Sequence, residues 1–190
     1  EVLALRNRSL PQTKRPHLQK KTFYAAEQRQ ERIERRREAY FEASEGLAAE
    51  DLIFIDETGT NSAMTPLYGW SKKGKRLHEA RPVQRGRLYT VIGAIGMDGM
   101  KTIMTVAGGT RSKTFEAFAE HLLGPYLRRG HIVVMDNLWA HKTKVVRDLI
   151  ESKRASVLFL PPYSPELNPI ELAWAKLKHF IKKRRPRTHE

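Results

Sequence analysis

From residue 51 onward, apolar residues occur in short, nearly continuous runs of the kind that form buried β-strands. The runs are LIFI before Asp56, HIVVM before Asp136 and SVLFL before Pro161. Apolar runs of this length, without polar alternation, are typical of strands covered on both faces of a sheet. Two further runs, LYTVIGAIG and KTIMTVAGG, flank MDGM, in which Asp98-Gly99 is a strong hairpin signal. The pattern therefore predicts three buried strands and one β-hairpin.

Apolar residues at helical spacing predict three helices between and after these strands. The first is SKTFEAFAEHLLGPYL, with Ser112 as its expected N-cap. The second covers residues 141–153, and the third begins near Pro169 and continues into KLKHFIKKRR. The apolar stripe of the second helix consists of Val145, Val146, Leu149 and Ile150. The order of elements predicts an α/β fold with a mixed five-stranded sheet flanked by helices.

Two regions differ from this globular pattern. Residues 1–50 are basic and contain a charged stretch, about residues 24–44, that predicts a helix with few apolar positions. We expect residues 1–50 to be a basic helical linker preceding a domain over 51–190. The linker helix is interpreted as a solvated connector, with a nucleic-acid contact as the alternative. Residues 58–87, rich in Gly, Pro, Lys and Arg, predict a long loop, and loops of that length are usually functional.

The charge balance narrows the class of partner. The chain has 190 residues and a formal net charge of +14, which favours a polyanion: nucleic acid first, an anionic membrane second. No apolar run approaches the roughly 20 residues needed to span a bilayer, and the first residues do not resemble a secretory signal. The absence of cysteine excludes disulfides, zinc fingers and thiol catalysis. A metal would be held by Asp, Glu or His, and oxygen ligands favour Mg²⁺ or Mn²⁺.

Asp56 and Asp136 each follow an apolar run, at the expected end of a strand. Strand ends in α/β sheets are where functional sites collect, and an unpartnered buried carboxylate there would be costly. If the two strands are neighbours, the two carboxylates meet at one edge of the sheet. The alternative is a pair of turn-forming aspartates, since DETG and DN are both good turn sequences.

The stretch LPPYSPELNPIELAW supplies a third acid at the start of the last helix. Asn168 is expected to be the N-cap and Pro169 the first helical residue, which places Glu171 at the third helical position. A glutamate there can cap its own helix, which is the structural alternative. At 100° per residue, however, Glu171 lies on the flank of the apolar face and can point along the sheet edge. Glu166 precedes the helix and is assigned to the loop.

Three oxygen-donor acids on a basic protein predict two-metal phosphodiester chemistry. Two Mg²⁺ ions, for which Mn²⁺ can substitute, would activate the attacking oxygen and stabilise the leaving one. They would also offset the repulsion between the clustered carboxylates.

The motifs FIDETG, VVMDNLWAHK and LPPYSPELNPIELAWAKLK resemble the catalytic core of bacterial insertion-sequence transposases of the mariner superfamily. The resemblance covers about residues 20–185, and the 34 residues between Asp136 and Glu171 match the spacing of this group. It implies a ribonuclease-H-like fold, a triad of Asp56, Asp136 and Glu171 as catalytic and metal-binding residues, and two Mg²⁺ ions.

The resemblance also implies a reaction and its partners. The expected reaction is cleavage of the element's ends and strand transfer into TA-containing target DNA. The partners are then DNA and, in the DNA complex, a second copy of the chain reached by the 58–87 loop, with no membrane. A bacterial cytoplasmic, nucleoid-associated protein is expected. The family carries N-terminal helix-turn-helix modules, for which residues 1–50 leave no room, so the resemblance implies that these residues are the remnant of a DNA-binding region.

Several further residues are secondary candidates. His141 could contact the site or a phosphate, or instead bond to backbone at a helix start. Asn137 could orient Asp136, contact DNA or serve the turn. Glu57 is expected to point away from Asp56 and to be structural. Expected DNA-binding residues are the basic side chains of the long loop and the last helix: Lys72, Lys73, Lys75, Arg76, Arg85, Arg87, Lys176, Lys178, Lys182, Lys183, Arg184 and Arg185.

Two alternatives to a transposase remain open on the sequence alone. One is a structure-specific nuclease of the same fold that cuts without joining. The other is a transposase-derived DNA-binding protein without working chemistry, which the intact triad disfavours.

Overall fold

A computed structural model describes residues 25–84 and 86–186, apart from the side chains of Trp139 and Ala140. The strands are β1 (Leu52–Asn61), β2 (Leu88–Gly96), β3 (Gly99–Ala107), β4 (Ile132–Met135) and β5 (Ser156–Phe159). The α-helices are α1 (Glu31–Ser44), α2 (Ser112–Phe118), α3 (Lys144–Ser152) and α4 (Ile170–Arg184). None of the helices in these ranges is long and apolar enough to cross a bilayer.

The five strands form one mixed sheet in the order β3-β2-β1-β4-β5. β1, β2 and β3 are antiparallel neighbours, whereas β4 and β5 run parallel to β1. The predicted hairpin is present, with Gly96 paired to Gly99 across the turn. The predicted mixed five-stranded sheet flanked by helices is therefore confirmed.

Each face of the sheet carries its own apolar core. The larger core packs α2 and α3 against β1, β2 and β4, and the smaller one packs α4 against β2. The larger core is centred on the fully buried Ile55, Phe115, Phe118 and Met135. In the smaller core, Ile170 and Trp174 of α4 cover Val91. This two-sided burial explains the continuous apolar runs, because neither face of the central strands meets solvent.

The predicted end of the first strand is wrong. β1 continues past Asp56 to Asn61, because β2 keeps pairing with it over that length: Asp56 pairs with Gly93 and Asn61 with Leu88. The long loop consequently begins at residue 62 rather than at 58. Its residues 67–84 are exposed throughout.

Two predicted helix details also differ. Ser112 is the first helical residue of α2 and does not cap it; its buried hydroxyl has no hydrogen-bond partner among the described residues. In the second predicted helix, residues 139–142 form a separate 3₁₀ turn before α3, and Thr143 caps α3. Val145 is 55% exposed and does not belong to the buried stripe.

The linker helix α1 is more than a solvated connector. Its Ile33 is 1% exposed, although apolar positions are few along this helix. Its Arg37 donates hydrogen bonds to the Ser164 hydroxyl and, at 2.7 Å, to the Glu166 carboxylate. The helix is thus attached to the proline-containing loop before α4, and Glu166 has the structural role assigned to it. The part of the linker at residues 1–24 lies outside the described residues.

Candidate active site

Parallel pairing of β1 and β4 brings the first two acids together. The ladder between these strands pairs Phe54 with Val134, and Asp56 and Asp136 each follow two residues later. Because side chains alternate along a strand, both carboxylates leave the sheet on the side of Phe54, opposite the core around Ile55. Asp56 lies inside β1, but at the level where β4 has ended. The two acids therefore meet at the sheet edge where β4 ends, which is the edge expected for them.

Glu171 reaches the same place from the first turn of α4. Asp56, Asp136 and Glu171 all line one cavity of about 330 Å³. The rest of its wall is formed by the residues after β4 and by the loop between β5 and α4, namely Asn137, Leu138, Leu160, Pro161, Pro162, Tyr163, Ser164, Pro165 and Asn168. The three acids singled out by sequence thus come from three separate elements and share one cavity.

Asn168 fixes the start of α4. Its side-chain oxygen accepts a hydrogen bond from the Ile170 N–H at 3.3 Å, and its amide donates to the Ile55 carbonyl of β1 at 3.4 Å. The Asn168 backbone N–H, the group that a capping Glu171 would satisfy, donates instead to the Pro165 carbonyl at 3.0 Å. The helix begins one residue later than expected, with Pro169 in the N-cap position, so the Asn168 side chain bonds the first helical N–H from just outside the helix and Glu171 is left facing the cavity.

Asp56 carries surplus negative charge. The pKa of Asp56 is raised to about 6, chiefly by burial and also by the charges of Glu171 and Asp136, against the hydrogen bonds from the Glu57 N–H and the Trp174 indole. The Trp174 indole N–H donates to Asp56 Oδ2 at 3.0 Å. The Glu57 backbone N–H also donates to this carboxylate. The raised pKa means that an ionised Asp56 lacks a compensating positive charge.

Asp136, unlike Asp56, has a lowered pKa because it has a basic partner. Burial alone would raise its pKa, but the imidazole of His141 and the Leu138 N–H outweigh burial, and the pKa of Asp136 lies below its ordinary value. The Leu138 N–H donates to Asp136 Oδ1 at 3.0 Å. Asn137 donates through its side chain to the Leu160 carbonyl, which ties the turn after β4 to the end of β5. Asn137 therefore holds the loop that carries Asp136.

His141 contacts two carboxylates that lie on opposite faces of the sheet. Its side chain is fully buried against the Phe115 ring, with 4.1 Å between ring centroids. Nδ1 lies 2.7 Å from Asp136 Oδ1, and Nε2 lies 3.3 Å from Glu57 Oε1. The Nδ1 contact lacks the alignment of a hydrogen bond and is an ion pair. Burial favours a neutral imidazole, yet the two carboxylates raise the pKa of His141 to about 9.

These contacts decide between the alternatives for His141 and Glu57. His141 contacts the site through Asp136, and its burial leaves no surface for a phosphate. Glu57 points away from Asp56, as the strand alternation predicts, and it serves as the second partner of His141. The contact between Trp174 and Asp56 is not evident from the sequence, because the position of Trp174 on the last helix is that of a core residue. The spacing of Trp174 from Glu171, one helical turn, is the available signal.

The expected DNA-binding residues lie outside this cavity, as far as the chain is described. Lys72, Lys73, Lys75, Arg76 and Arg87 are exposed in the long loop, and Arg85 lies outside the described residues. On α4, Arg184 stacks over the Phe180 ring with its guanidinium carbon 5.3 Å from the centroid. Arg185, just beyond the helix, pairs with Glu79 of the long loop. This ion pair brings the two predicted basic regions together.

The donor set of the cavity fits a hard divalent cation. Carboxylate oxygens are the preferred ligands of Mg²⁺ and Mn²⁺, and a cation would offset the charge repulsion that raises the pKa of Asp56. Within residues 25–84 and 86–186, however, no group of three such side chains is already gathered closely enough to hold an ion. The acids share a cavity without forming a closed cluster.

Comparison with known proteins agrees with this architecture. The family described as DDE superfamily endonuclease matches residues 51–190. The "uncharacterized 39 kDa protein" of insertion element IS630 from Shigella sonnei is 26% identical over 148 residues, a match covering 75% of this chain and 42% of that protein. The chain thus spans less than half the length of this relative.

Two solved structures show the same fold. The Mos1 transposase paired-end complex with the left transposon end has a TM-score of 0.69 at 18% identity, over 87% of this chain and 53% of that chain. The Mos1 transposase catalytic domain with raltegravir and Mg has a TM-score of 0.57 at 18% identity, over 84% and 77%.

The sheet order and the two-sided helix packing define a ribonuclease-H-like fold, as predicted. The chain belongs to the DDE superfamily endonuclease family. The resemblance to mariner-superfamily transposases seen in the three motifs is confirmed by these matches.

Proposed function

We propose that this chain is the catalytic domain of a DNA transposase that cleaves the ends of an insertion element and joins them to target DNA. The observation that carries the proposal is the shared cavity of Asp56, Asp136 and Glu171 in a member of the DDE endonuclease family. Among the described residues that line the cavity none is basic, so Asp56 and Glu171 contribute charge without such a partner, and Asp136 is held by His141. Such a site suits a phosphodiester substrate only when cations screen its acids.

Asp56, Asp136 and Glu171 are the residues proposed to hold two Mg²⁺ ions, or Mn²⁺ in their place. Bound there, the ions would supply Lewis-acid activation of the attacking oxygen and stabilisation of the leaving oxygen. The protein's own contribution is positional: Asn168 sets the start of α4, and His141 holds Asp136. Mos1 paired-end complexes solved with Mg and with Mn support divalent-metal chemistry in this fold.

DNA is the proposed partner, in the form of element ends and a TA-containing target. The net charge of +14 supports it, as do the Mos1 structures, which include a complex with a transposon end and a strand transfer complex. We also propose that two chains share the DNA complex through the long loop, in which Tyr68 is 93% and Trp70 100% exposed. Aromatic side chains are enriched in protein interfaces, which makes these two exposed rings candidates for burial against a second chain.

The function is tested with a duplex carrying the inverted repeats that flank the coding sequence. We expect the wild-type protein to nick this duplex in Mg²⁺ and to join it to a TA-containing plasmid. Glu171→Gln, which keeps the shape of the side chain, should reduce the nicking rate by at least about a hundredfold. Sedimentation of the protein–duplex complex measures whether it contains two chains.

Each alternative function has its own outcome in this assay. Nicking without joining would indicate the nuclease of the same fold. Specific binding by the wild-type protein without metal-dependent nicking would contradict the enzyme and leave the DNA-binding protein.

The lysines of α4 are expected to contact DNA phosphates. Replacing Lys176, Lys178, Lys182 and Lys183 with alanine should weaken DNA binding for all sequences. The slope of log K against log salt concentration should become less steep by about 0.9 for each phosphate that is no longer neutralised. The matched control neutralises four basic residues on the opposite helical layer: Lys113, Lys144, Arg147 and Lys153. Equal slopes for the two quadruple variants would show that α4 is not the DNA-contacting surface.

A further inference from the structure

Trp174 makes a contact that its burial alone does not require. The side chain belongs to the smaller core and is 2% exposed. A buried indole N–H needs an acceptor, and most buried polar groups find one in the backbone. Here the acceptor is Oδ2 of Asp56, at 3.0 Å. One of the three acids of the cavity is therefore bonded to a rigid side chain of the opposing helix.

Gly93 provides the space for this contact. Gly93 lies on β2 directly opposite Asp56 in the antiparallel ladder. A Cβ atom at Gly93 would lie 2.6 Å from Cη2 and 3.2 Å from Cζ2 of the Trp174 ring. Contacts below 3.0 Å cannot persist in a packed core, so any side chain at 93 would displace the indole. The missing side chain next to Asp56 allows the ring to approach the strand.

The same helix also carries Glu171, one turn before Trp174. The placement of α4 therefore determines both the position of Glu171 and the orientation of Asp56. With Oδ2 engaged by the indole, rotation of the Asp56 carboxylate about its Cβ–Cγ bond is restricted. Groups that orient a metal-binding carboxylate through a hydrogen bond typically change metal affinity or activity by about 10- to 100-fold when removed.

We propose that Trp174 is a positioning residue for Asp56: its hydrogen bond orients the Asp56 carboxylate toward a divalent cation. The absence of a side chain at Gly93 leaves the space that the indole needs for this contact. The proposal rests on the proposed function, because it takes Asp56 to bind the cation. It adds a role for two residues, one on β2 and one on α4, that do not themselves contact the ion or the DNA.

The test separates the hydrogen bond from the packing of the ring. Benzothienylalanine, introduced at position 174 by codon reassignment, keeps the shape of tryptophan and replaces the N–H with sulfur. We expect it to raise the half-saturating Mn²⁺ concentration roughly tenfold, measured by the EPR signal of free Mn²⁺ with the protein alone. Ile170→Val, a packing change in the same core, is the matched control and should leave this concentration unchanged.

A double-mutant cycle in EDTA gives a second readout that needs no metal. Asp56→Ala and Trp174→Phe, made singly and together, should show a coupling of about tenfold in the unfolding equilibrium constant, because the bond joins a charged acceptor to its donor. A coupling factor of one, or wild-type Mn²⁺ binding by the benzothienylalanine protein, would overturn the proposal. Neither readout uses DNA cleavage, so an inactive wild-type protein counts against the proposed function only.

Discussion

Replacing Asp56 with asparagine is expected to abolish metal-dependent DNA cleavage and at the same time to stabilise the protein in the absence of metal. The loss of activity follows from removing one of the three proposed anionic ligands, and we expect the cleavage rate to fall by about a thousandfold. Asparagine keeps an oxygen that accepts the Trp174 N–H, so the local packing is retained. Nicking of the inverted-repeat duplex in Mg²⁺ measures this loss.

The gain in stability follows from the sign of the pKa shift. The pKa of Asp56 is raised from 3.8 to about 6, chiefly by burial. The folded state therefore holds this proton more tightly than the unfolded state, and stability is lost as the pH rises through the interval from 3.8 to about 6. At a pH of about 7.5 the wild-type protein carries this loss and the asparagine variant does not. Allowing for partial solvation, we expect a gain of about 1–2 kcal/mol, or a few degrees in Tm.

In saturating Mg²⁺, the wild-type protein should become more stable than the Asp56→Asn variant. A ligand that binds only the folded protein stabilises it, so saturating Mg²⁺ is expected to raise the Tm of the wild-type protein much more than that of Asp56→Asn. Asp148→Asn, at a surface carboxylate paired with Lys144, is the matched control and should change neither activity nor the response to Mg²⁺. A variant less stable than wild type in EDTA would contradict the account of Asp56 as an uncompensated buried charge.

The sequence predicts the parts of this site that depend on local signals. The apolar run before Asp136 ends the strand at that residue, because both faces of β4 are buried and the next residues are turn formers. The Asn168-Pro169 pair predicts the start of α4 to within one residue, because capping and the fixed φ of proline act over one turn. Together these two signals place two of the three acids.

Features that depend on distant partners could not be predicted in the same way. The length of β1 is set by its pairing with β2, so the polar residues after Asp56 stay in a strand although their sequence favours a turn. The attachment of α1 depends on Arg37 meeting Glu166, 129 positions away in the chain. His141 is similar: its partner Glu57 lies in β1 and its partner Asp136 directly follows β4, and only the parallel register of these strands brings them together.

Replacing His141 with phenylalanine is expected to remove a pH-dependent part of the protein's stability. The pKa of His141 is raised from 6.5 to about 9 by its two carboxylate partners, against the effect of burial. The protonated imidazole therefore stabilises the fold fully below pH 6.5, and this stabilisation is lost as the pH rises through about 9. In EDTA, the free energy of unfolding of the wild-type protein should therefore fall by about 2 kcal/mol between these limits, since the solvent exposure of Asp136 weakens one of the two pairs.

The variant should show two effects in urea titrations at a series of pH values. Phenylalanine can still pack on the Phe115 ring, but Asp136 and Glu57 lose their common partner, which should lower stability near pH 6.5 by roughly 2–4 kcal/mol. The decline between pH 6.5 and about 9 should also disappear. Asp56 does not interfere with this measurement, because its own titration affects stability at lower pH.

A surface histidine provides the control. His121→Phe removes an imidazole that is 70% exposed and lies 4.0 Å from Glu120, and it should retain the wild-type decline with pH. If His141→Phe also retained that decline, the imidazole would not be the charged bridge between the two strands. Asp136 would then have to be held by the Leu138 N–H alone, and the fixed position of this acid in the cavity would need another cause. The pH series thus tests whether the second acid of the site is oriented by a buried ion pair that reaches through the edge of the sheet.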